Sequence, residues 1–387
     1  EDERRVAQLA YHAVRAYDPS RAPAYLVRAA DLAEREGQLA DAADYVADAA
    51  RVVAAQVSSA DAVGARVLQA LSELIIRAAD LNLAVGNTAR ALEVLARFTP
   101  EFREAIDVDV RLALHLAEAR VAAHRERWND VVQILGITEE NESEPMDADQ
   151  LGEALMRLGH ARLEAGEVEA ASRTLALAVA QLSGDDTRLL HGMGSCYLAI
   201  ALARLGRIEE ARSRGMDAMT GAVCVGQLRL RWSSLVAMAE VAEAMGDFTG
   251  ALTRWSDAMG VAREHAMPVE LCRAAVRSAA AAFEAGWESR AAVFAEEAIH
   301  VGRKHRQEAV VSLGAAIQGA LAVAAHPDPG FVKGMVRGVE SLEAMDRPAE
   351  AAMALRMLAS VHVALGDVPA AIRTLGRAHP LAIASGH

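Results

Sequence analysis

Glycines recur along this chain at a fixed interval. Gly366, Gly286, Gly246, Gly206, Gly166 and Gly86 are separated by multiples of forty residues, and His326 and Glu126 fill the two remaining places of the series. Each stands in a short turn between two stretches of helical periodicity. Five residues beyond these anchors come Ala91, Val131, Ala171, Ala211, Ala251, Ala291, Phe331 and Ala371. Seven residues before them come Ala79, Ala119, Gly159, Ala199, Ala239, Ala279, Gly319 and Ala359. Small residues at fixed phase are what close-packed neighbouring helices require, because each missing side chain lets one backbone approach the next. A chain patterned this way folds by stacking similar units and presents an extended surface for binding.

Inside one unit, Leu151, Leu155, Leu158 and Leu163 make a helical stripe before the turn Ala165-Gly166-Glu167. Val168, Ala171, Leu175, Ala178 and Leu182 make the facing stripe after it, up to Ser183-Gly184-Asp185-Asp186. Glycine at the first turn suits a left-handed helix cap, and Asp or Ser at the second is expected to cap the next helix. Second turns at His265-Ala266-Met267-Pro268 and Asp346-Arg347-Pro348 fall half a period later, so two helices of nearly equal length form each unit. Val168, Ile208, Phe248 and Val368, two places past their anchors, are placed to staple the turn. A further small column, twelve places past, holds Ala178, Ala218, Ala258, Ala298 and Ala378, with Phe98 and Thr138 as exceptions. His326-Pro327-Asp328-Pro329 replaces the glycine turn and predicts a local irregularity.

Composition narrows the classes of function. Hydrophobic residues are 53% of the chain and aromatics only 4%, a balance of alanine, leucine and valine that favours helix over strand. A net charge of −13 argues against a nucleic-acid backbone as partner. No uninterrupted apolar run approaches the roughly 20 residues of a transmembrane helix, so no membrane association is expected. Cys196, Cys224 and Cys272 are widely spaced in helical pattern and read as reduced thiols of a cytoplasmic protein. The chain opens at Glu1 with Val6, Leu9, Ala10, Ala13 and Val14 already at helical spacing, which predicts a piece of a longer polypeptide.

A small residue, a seven-residue gap, glycine, an apolar residue at plus two and alanines at plus five and plus twelve resemble the tetratricopeptide repeat from about residue 60 to 380. The resemblance implies an all-α, right-handed superhelical α-solenoid of antiparallel helix hairpins with a period of about 40 residues. The expected organisation is an amino-terminal junction or capping region at 1–60, continuous with about eight hairpins over 61–387. Residues 11–19 with 21–30, from Tyr11-His12-Ala13 to Arg28-Ala29-Ala30, resemble the join between the nucleotide-binding module and the helical-repeat arm of bacterial signalling ATPases of the STAND and maltose-regulator-like kind. That likeness implies an upstream catalytic or nucleotide-binding domain in the same chain.

Family geometry implies that the first helix of each hairpin lines a concave groove. Carried onto this sequence, the position six before each anchor reads Asp80, Arg120, His160, Ile200, Glu240, Ala280, Ala320 and Ser360. Two before the anchors stand His124, Glu164, Arg204 and Glu284. Met156, Met193, Cys196, Arg273, Phe283 and Arg356 occupy further inward positions, and Ala280, Ala316, Ala320 and Ala324 form a smooth apolar stretch. A groove of Arg, His and Glu with methionine and aromatic contacts suits a peptide or protein segment, or a small effector, held by side-chain clamps.

Chemistry is sparse by comparison. Lys304 and Lys333 follow no glycine-rich loop, which excludes a phosphate-cradling P-loop within the chain. Gly192-Met193-Gly194-Ser195 lacks the third glycine of a dinucleotide fingerprint and reads instead as a helix start packed closely on its neighbour. His191 near Cys196 has no orienting third group, and no metal-ligand spacing occurs, so neither cofactor, metal nor catalytic residue is expected. The acidic stretch 139–149 reads as a solvated loop. The expected role is a non-catalytic ligand-binding sensor arm of a bacterial regulatory protein. A static adaptor is the alternative, and an enzyme on a helical-repeat scaffold is a third reading with little behind it.

Overall fold

Helix formation follows the apolar stripes, and every described segment of regular structure is helical. The computed structural model describes residues 6, 8–9, 11–13, 20–58, 64–140, 147–182, 184 and 187–385. Residues 14–19 of the amino-terminal motif, most of the acidic stretch and three of the four residues at 183–186 lie outside them. The chain divides into two compact units, Glu1–Ala161 and Arg162–His387.

The first unit holds α1 (Ala22–Arg35), α2 (Leu39–Ser58), α3 (Ala65–Ala84), α4 (Thr88–Leu95), α5 (Pro100–Ala105), α6 (Val108–His124), α7 (Trp128–Glu140) and α8 (Ala148–Glu164) as far as Ala161. Phe98, an exception in the small column, marks the place where one second helix breaks into α4 and α5. It packs edge-on against Phe102 with ring centroids 5.1 Å apart, while the Thr99 hydroxyl accepts from the Phe102 N–H and Pro100 starts α5. Pro100 has no N–H to donate and its ring would clash with the carbonyl four residues back, so the first helix cannot run through it, and the Phe98 ring is buried in the core at the break.

The second unit continues with α9 (Val168–Gln181), α10 (Arg188–Arg204), α11 (Ile208–Val225), α12 (Leu228–Ala244), α13 (Phe248–Glu264) and α14 (Pro268–Glu284). It ends with α15 (Glu288–Lys304), α16 (Glu308–Ala325), α17 (Gly330–Ala344), α18 (Pro348–Ala364) and α19 (Val368–Ala384). Consecutive helices pack as hairpins. The small column lies in the contacts between them: Ala199, Ala239 and Ala279 are completely buried, and a methyl added at Gly319 would stand 2.8 Å from Met335 Cγ. Gly192 has the same purpose, since a methyl there would meet Leu230 of α12 at 2.7 Å.

Turn geometry explains the anchors. Gly206 has φ +73°, its N–H donates to Ala203 O, and the Arg207 N–H reaches back to Leu202 O at 2.9 Å. That closes the helix with a left-handed cap, a conformation costing most residues about 1–2 kcal/mol. Glu126 adopts it at φ +55°. The second turns use the same cap at Ala266 and Asp346, and neither Met267 nor Arg347 caps its helix through a side chain. Side-chain capping falls at one second turn, where Asp147 accepts from the Gln150 N–H, and at glycine turns, where Asp247 accepts from the Gly250 N–H and Asp367 from the Ala370 N–H. At the second turns Pro268 and Pro348 open their helices, removing one of the donors a cap would serve. His326 is extended at φ −144°, as its proline-rich surroundings require, and Asp328 accepts from the Gly330 N–H to start α17.

One described helix, α16, is by length and composition apolar enough to cross a membrane. Here it packs against α14, α15, α17 and α18, with Leu313, Ile317 and Val323 fully buried.

Candidate functional site

Side chains from the first helices of successive hairpins pair with one another instead of standing free. In the first unit the Arg120 guanidinium on α6 makes two 2.9 Å hydrogen bonds to the Asp80 carboxylate on α3, and lies 3.6 Å from Glu153 on α8. Asp80 and Arg120 are consecutive members of one column, so the fixed phase of the repeat sets acid against base. His160 packs edge-on against Trp128, with centroids 5.1 Å apart. His124 is exposed, and Met156 is buried in the core.

The second unit carries a denser arrangement. Arg204, at the end of α10, is only 10% exposed and donates to Glu240 of α12 at 3.2 Å. Its other terminal nitrogen donates to the carbonyls of Leu163 and Ser385, at 3.3 and 3.4 Å. Arg273 on α14 sits between Glu240 at 3.5 Å and Glu164 at 3.8 Å, with 40% of its side chain exposed. One turn further on, Arg277 pairs with Glu243, lies 5.2 Å from the Trp255 ring centroid, and approaches Met353 Sδ at 3.7 Å. The Trp255 indole N–H donates to Glu243 at 2.8 Å. Glu284 and Arg356, predicted independently, form an ion pair across 72 residues of sequence.

Burial and charge act against each other here. Desolvation raises the Glu243 carboxyl above its usual range despite Arg277 beside it. Burial would lower Arg277, but Glu243 and then Glu240 outweigh it and hold the guanidinium more firmly charged. Arg273 follows the same balance, with Glu164 and Glu240 as its carboxylates. Glu350, on α18, stays below its usual range because the hydrogen bond and charge of Arg347 exceed its desolvation.

Several predicted residues are elsewhere. Cys196 is fully buried, and burial pushes its thiol up to about 12, so it is neither ionised nor presented to a ligand. Ala280, Ala316 and Ala320 are buried too, although Phe283, Ala320 and Ala324 line a small cavity of about 190 Å³ with Ser360. Met193 packs half-buried against the core. Arg277, Glu243, Trp255 and Glu350 are functional candidates that the inward columns did not name. Glu243 stands three before Gly246, the place Phe283 holds before Gly286, and Arg277 lies one helical turn beyond Arg273. Among the described residues no three His, Cys, Asp or Glu side chains gather to hold a metal ion.

No protein-family model matches this sequence, and no curated protein matches it. Solved structures do. A Rap protein complexed with competence and sporulation factor aligns over all of both chains at 13% identity with a TM-score of 0.70. The apo form of the quorum sensor NprR from B. thuringiensis aligns over 90% of this chain and 98% of its own, at 10% identity and a TM-score of 0.60. This chain has a tetratricopeptide-like helical-repeat fold. The tetratricopeptide-like array also resembles a STAND signal-transduction ATPase with a tetratricopeptide-repeat sensor, from Pyrococcus horikoshii, at 15% identity and a TM-score of 0.51. The alignment takes in 87% of this chain and 52% of that one.

Proposed function

We propose that the chain is a non-catalytic, peptide-binding sensor of a cytoplasmic bacterial regulatory protein, with its ligand held against the Arg204–Glu240–Arg273 cluster. One observation carries the reading. Arg273 is the predicted groove arginine that is both substantially exposed and held only at 3.5 and 3.8 Å, so its guanidinium is available to a carboxylate or carbonyl of a bound chain. Glu164 lies beside it with about a quarter of its side chain exposed, and the buried Glu240, paired with Arg204, positions Arg273 from behind, which suits side-chain clamping of an extended backbone. The solved structures lend support: the Rap protein above is complexed with a signalling factor, and a second Rap, a conjugation gene regulator, is in complex with the Phr* peptide at a TM-score of 0.58. Burial of Cys196 removes the one thiol for which a base was suggested, so the reading needs no chemistry.

The test is fluorescence anisotropy of a library of short labelled peptides against the full chain. A binder found this way loses about 10- to 100-fold in affinity with Arg273→Ala, the value of one charged hydrogen bond or two, and keeps it with Arg212→Ala on the outer helix α11. Equal affinity in both variants removes the site.

The STAND likeness supports a finer placement, with residues 1–60 as the junction to an upstream nucleotide-binding domain. A gene without a P-loop upstream of Glu1 would remove that part alone. A static adaptor is favoured by one feature, the internal pairing of Arg120, Arg204 and Arg356, which leaves outer surfaces to make contacts. Copurification of a stoichiometric partner unaffected by any peptide would select it.

A further inference from the structure

Beside the break in the first unit lies a cavity that shares no residue with the proposed groove. α4 stops after eight residues where α13 and α15 run to seventeen, and a space of about 360 Å³ opens at its end. Leu95 of α4 and Ala122 of α6 are buried at its floor, while the exposed Leu92 of α4 and the half-buried Ile134 of α7 form apolar walls. Charged groups complete the lining. Arg103 of α5 makes hydrogen bonds of 2.5 and 3.2 Å to the two oxygens of Glu118 on α6, and a third of 3.3 Å to Phe98 O. In the turn before α7, where Glu126 is left-handed at φ +55°, Arg127 pairs with Asp130 at 2.7 Å. Arg125, exposed in the same turn, also lines the cavity and has no carboxylate partner among the described residues. Two of the three lining arginines are thus matched by carboxylates of the lining itself. One positive charge is left over, in a chain whose net charge is −13.

We infer that this cavity binds a small monocarboxylate with an apolar body, its carboxylate on Arg125 and its body against Leu92, Leu95, Ala122 and Ile134. Size and charge each narrow the class. The volume lies near the lower end of the roughly 300–1,000 Å³ of small-molecule sites, which suits one ring system or a medium acyl chain. The unmatched guanidinium offers a planar fork to one carboxylate in bidentate geometry. A dianion such as a phosphate monoester would bring its second charge toward Glu118 and Asp130, with no further arginine to balance it. An inorganic anion would leave the apolar floor in water, and a neutral apolar molecule would leave Arg125 unused. The site lies wholly within the first unit and is independent of the Arg273 cluster.

Ligand-observed NMR with the full chain tests this, using naphthylacetate, phenylbutyrate and octanoate as probes and naphthylacetamide as the uncharged match of the first. A carboxylate probe is expected to bind saturably with a Kd of about 1 mM or below, as its size implies, and the amide at least about tenfold more weakly. Arg125→Glu replaces the free charge with its opposite and should weaken the carboxylate by more than about tenfold. Ala96→Trp places a ring in the cavity from the exposed end of α4 and should abolish binding. Both positions are exposed, so both variants keep the wild-type thermal melt. Arg273→Ala should leave the affinity unchanged. No saturable binding of any of the three carboxylates, equal binding of acid and amide, or wild-type affinity in either cavity variant overturns the inference. A loss in Arg273→Ala overturns it too, since the probe would then sit in the groove.

Discussion

Gly166 and Gly206 occupy equivalent turns with nearly the same backbone, φ +83° and +73°, yet their surroundings differ. At Gly206 an added methyl meets nothing within 4 Å. At Gly166 it would stand 1.9 Å from Ala384 O and 2.8 Å from Ala384 C, because the end of α19 lies against the turn between α8 and α9. Arg204 holds that contact by donating to Leu163 O and Ser385 O together. Alanine in the left-handed conformation costs about 1–2 kcal/mol at either site. At Gly166 the methyl must also clear more than an ångström of overlap with rigid backbone, adding about 1–3 kcal/mol of overpacking or the loss of the contact itself. Gly206→Ala should therefore lose about 1–2 kcal/mol in urea unfolding, and Gly166→Ala about 2–5 kcal/mol. Amide exchange separates the causes: the last turn of α19 should exchange faster in Gly166→Ala and unchanged in Gly206→Ala. Equal destabilisation, with equal exchange at residues 378–385, would refute the claim that the first and last turns of the second unit are held together.

Three further outcomes follow from the charge cluster and the buried thiol. Arg204→Ala should cost about 3–5 kcal/mol in urea unfolding, because it leaves Glu240 buried without that partner; a loss below about 1 kcal/mol would mean the pair is solvated. Glu243→Gln and Glu350→Gln should give pH dependences of opposite sign. Because the folded carboxyl of Glu243 titrates above its ordinary value of 4.5, the wild type gains stability over Glu243→Gln as pH falls from neutral toward 4.5, then levels off. Glu350 titrates below 4.5, so its advantage over Glu350→Gln is present above that pH and disappears below it; parallel urea midpoints across the range would contradict both. Cys196, with its thiol near 12, should resist iodoacetamide until the chain unfolds, and rapid native-state labelling followed by peptide mapping would show the burial to be wrong.

What the sequence encodes most strongly is the distance between neighbouring helices. Ala199, Ala239 and Ala279 are small because the next helix lies against them, and the same alignment puts Asp80 beside Arg120, so both were legible from a forty-residue offset. The exception at His326 was equally informative, since it marked the altered turn, whereas Phe98 and Thr138 are alike exceptions in one column and only the first lies at a broken helix. The offset carries no information about contacts beyond the neighbouring hairpin. Arg204 to Ser385 spans 181 residues and Glu284 to Arg356 spans 72, and such contacts depend on small rotations accumulated over several hairpins. Inward columns therefore named Arg204, Glu240 and Arg273 but gave no sign that these groups would compensate one another. Met156 and Cys196 illustrate the same limit from the other side. Ten places before their anchors they share a column with Arg356, yet both are buried, whereas the Arg356 side chain is 53% exposed. A shared position in the repeat fixes the direction in which a side chain leaves its helix; whether it meets solvent or another helix depends on the hairpins packed around it. The cluster around Arg273 is thus the product of a local pattern, which placed the charges inward, and of nonlocal packing, which paired them.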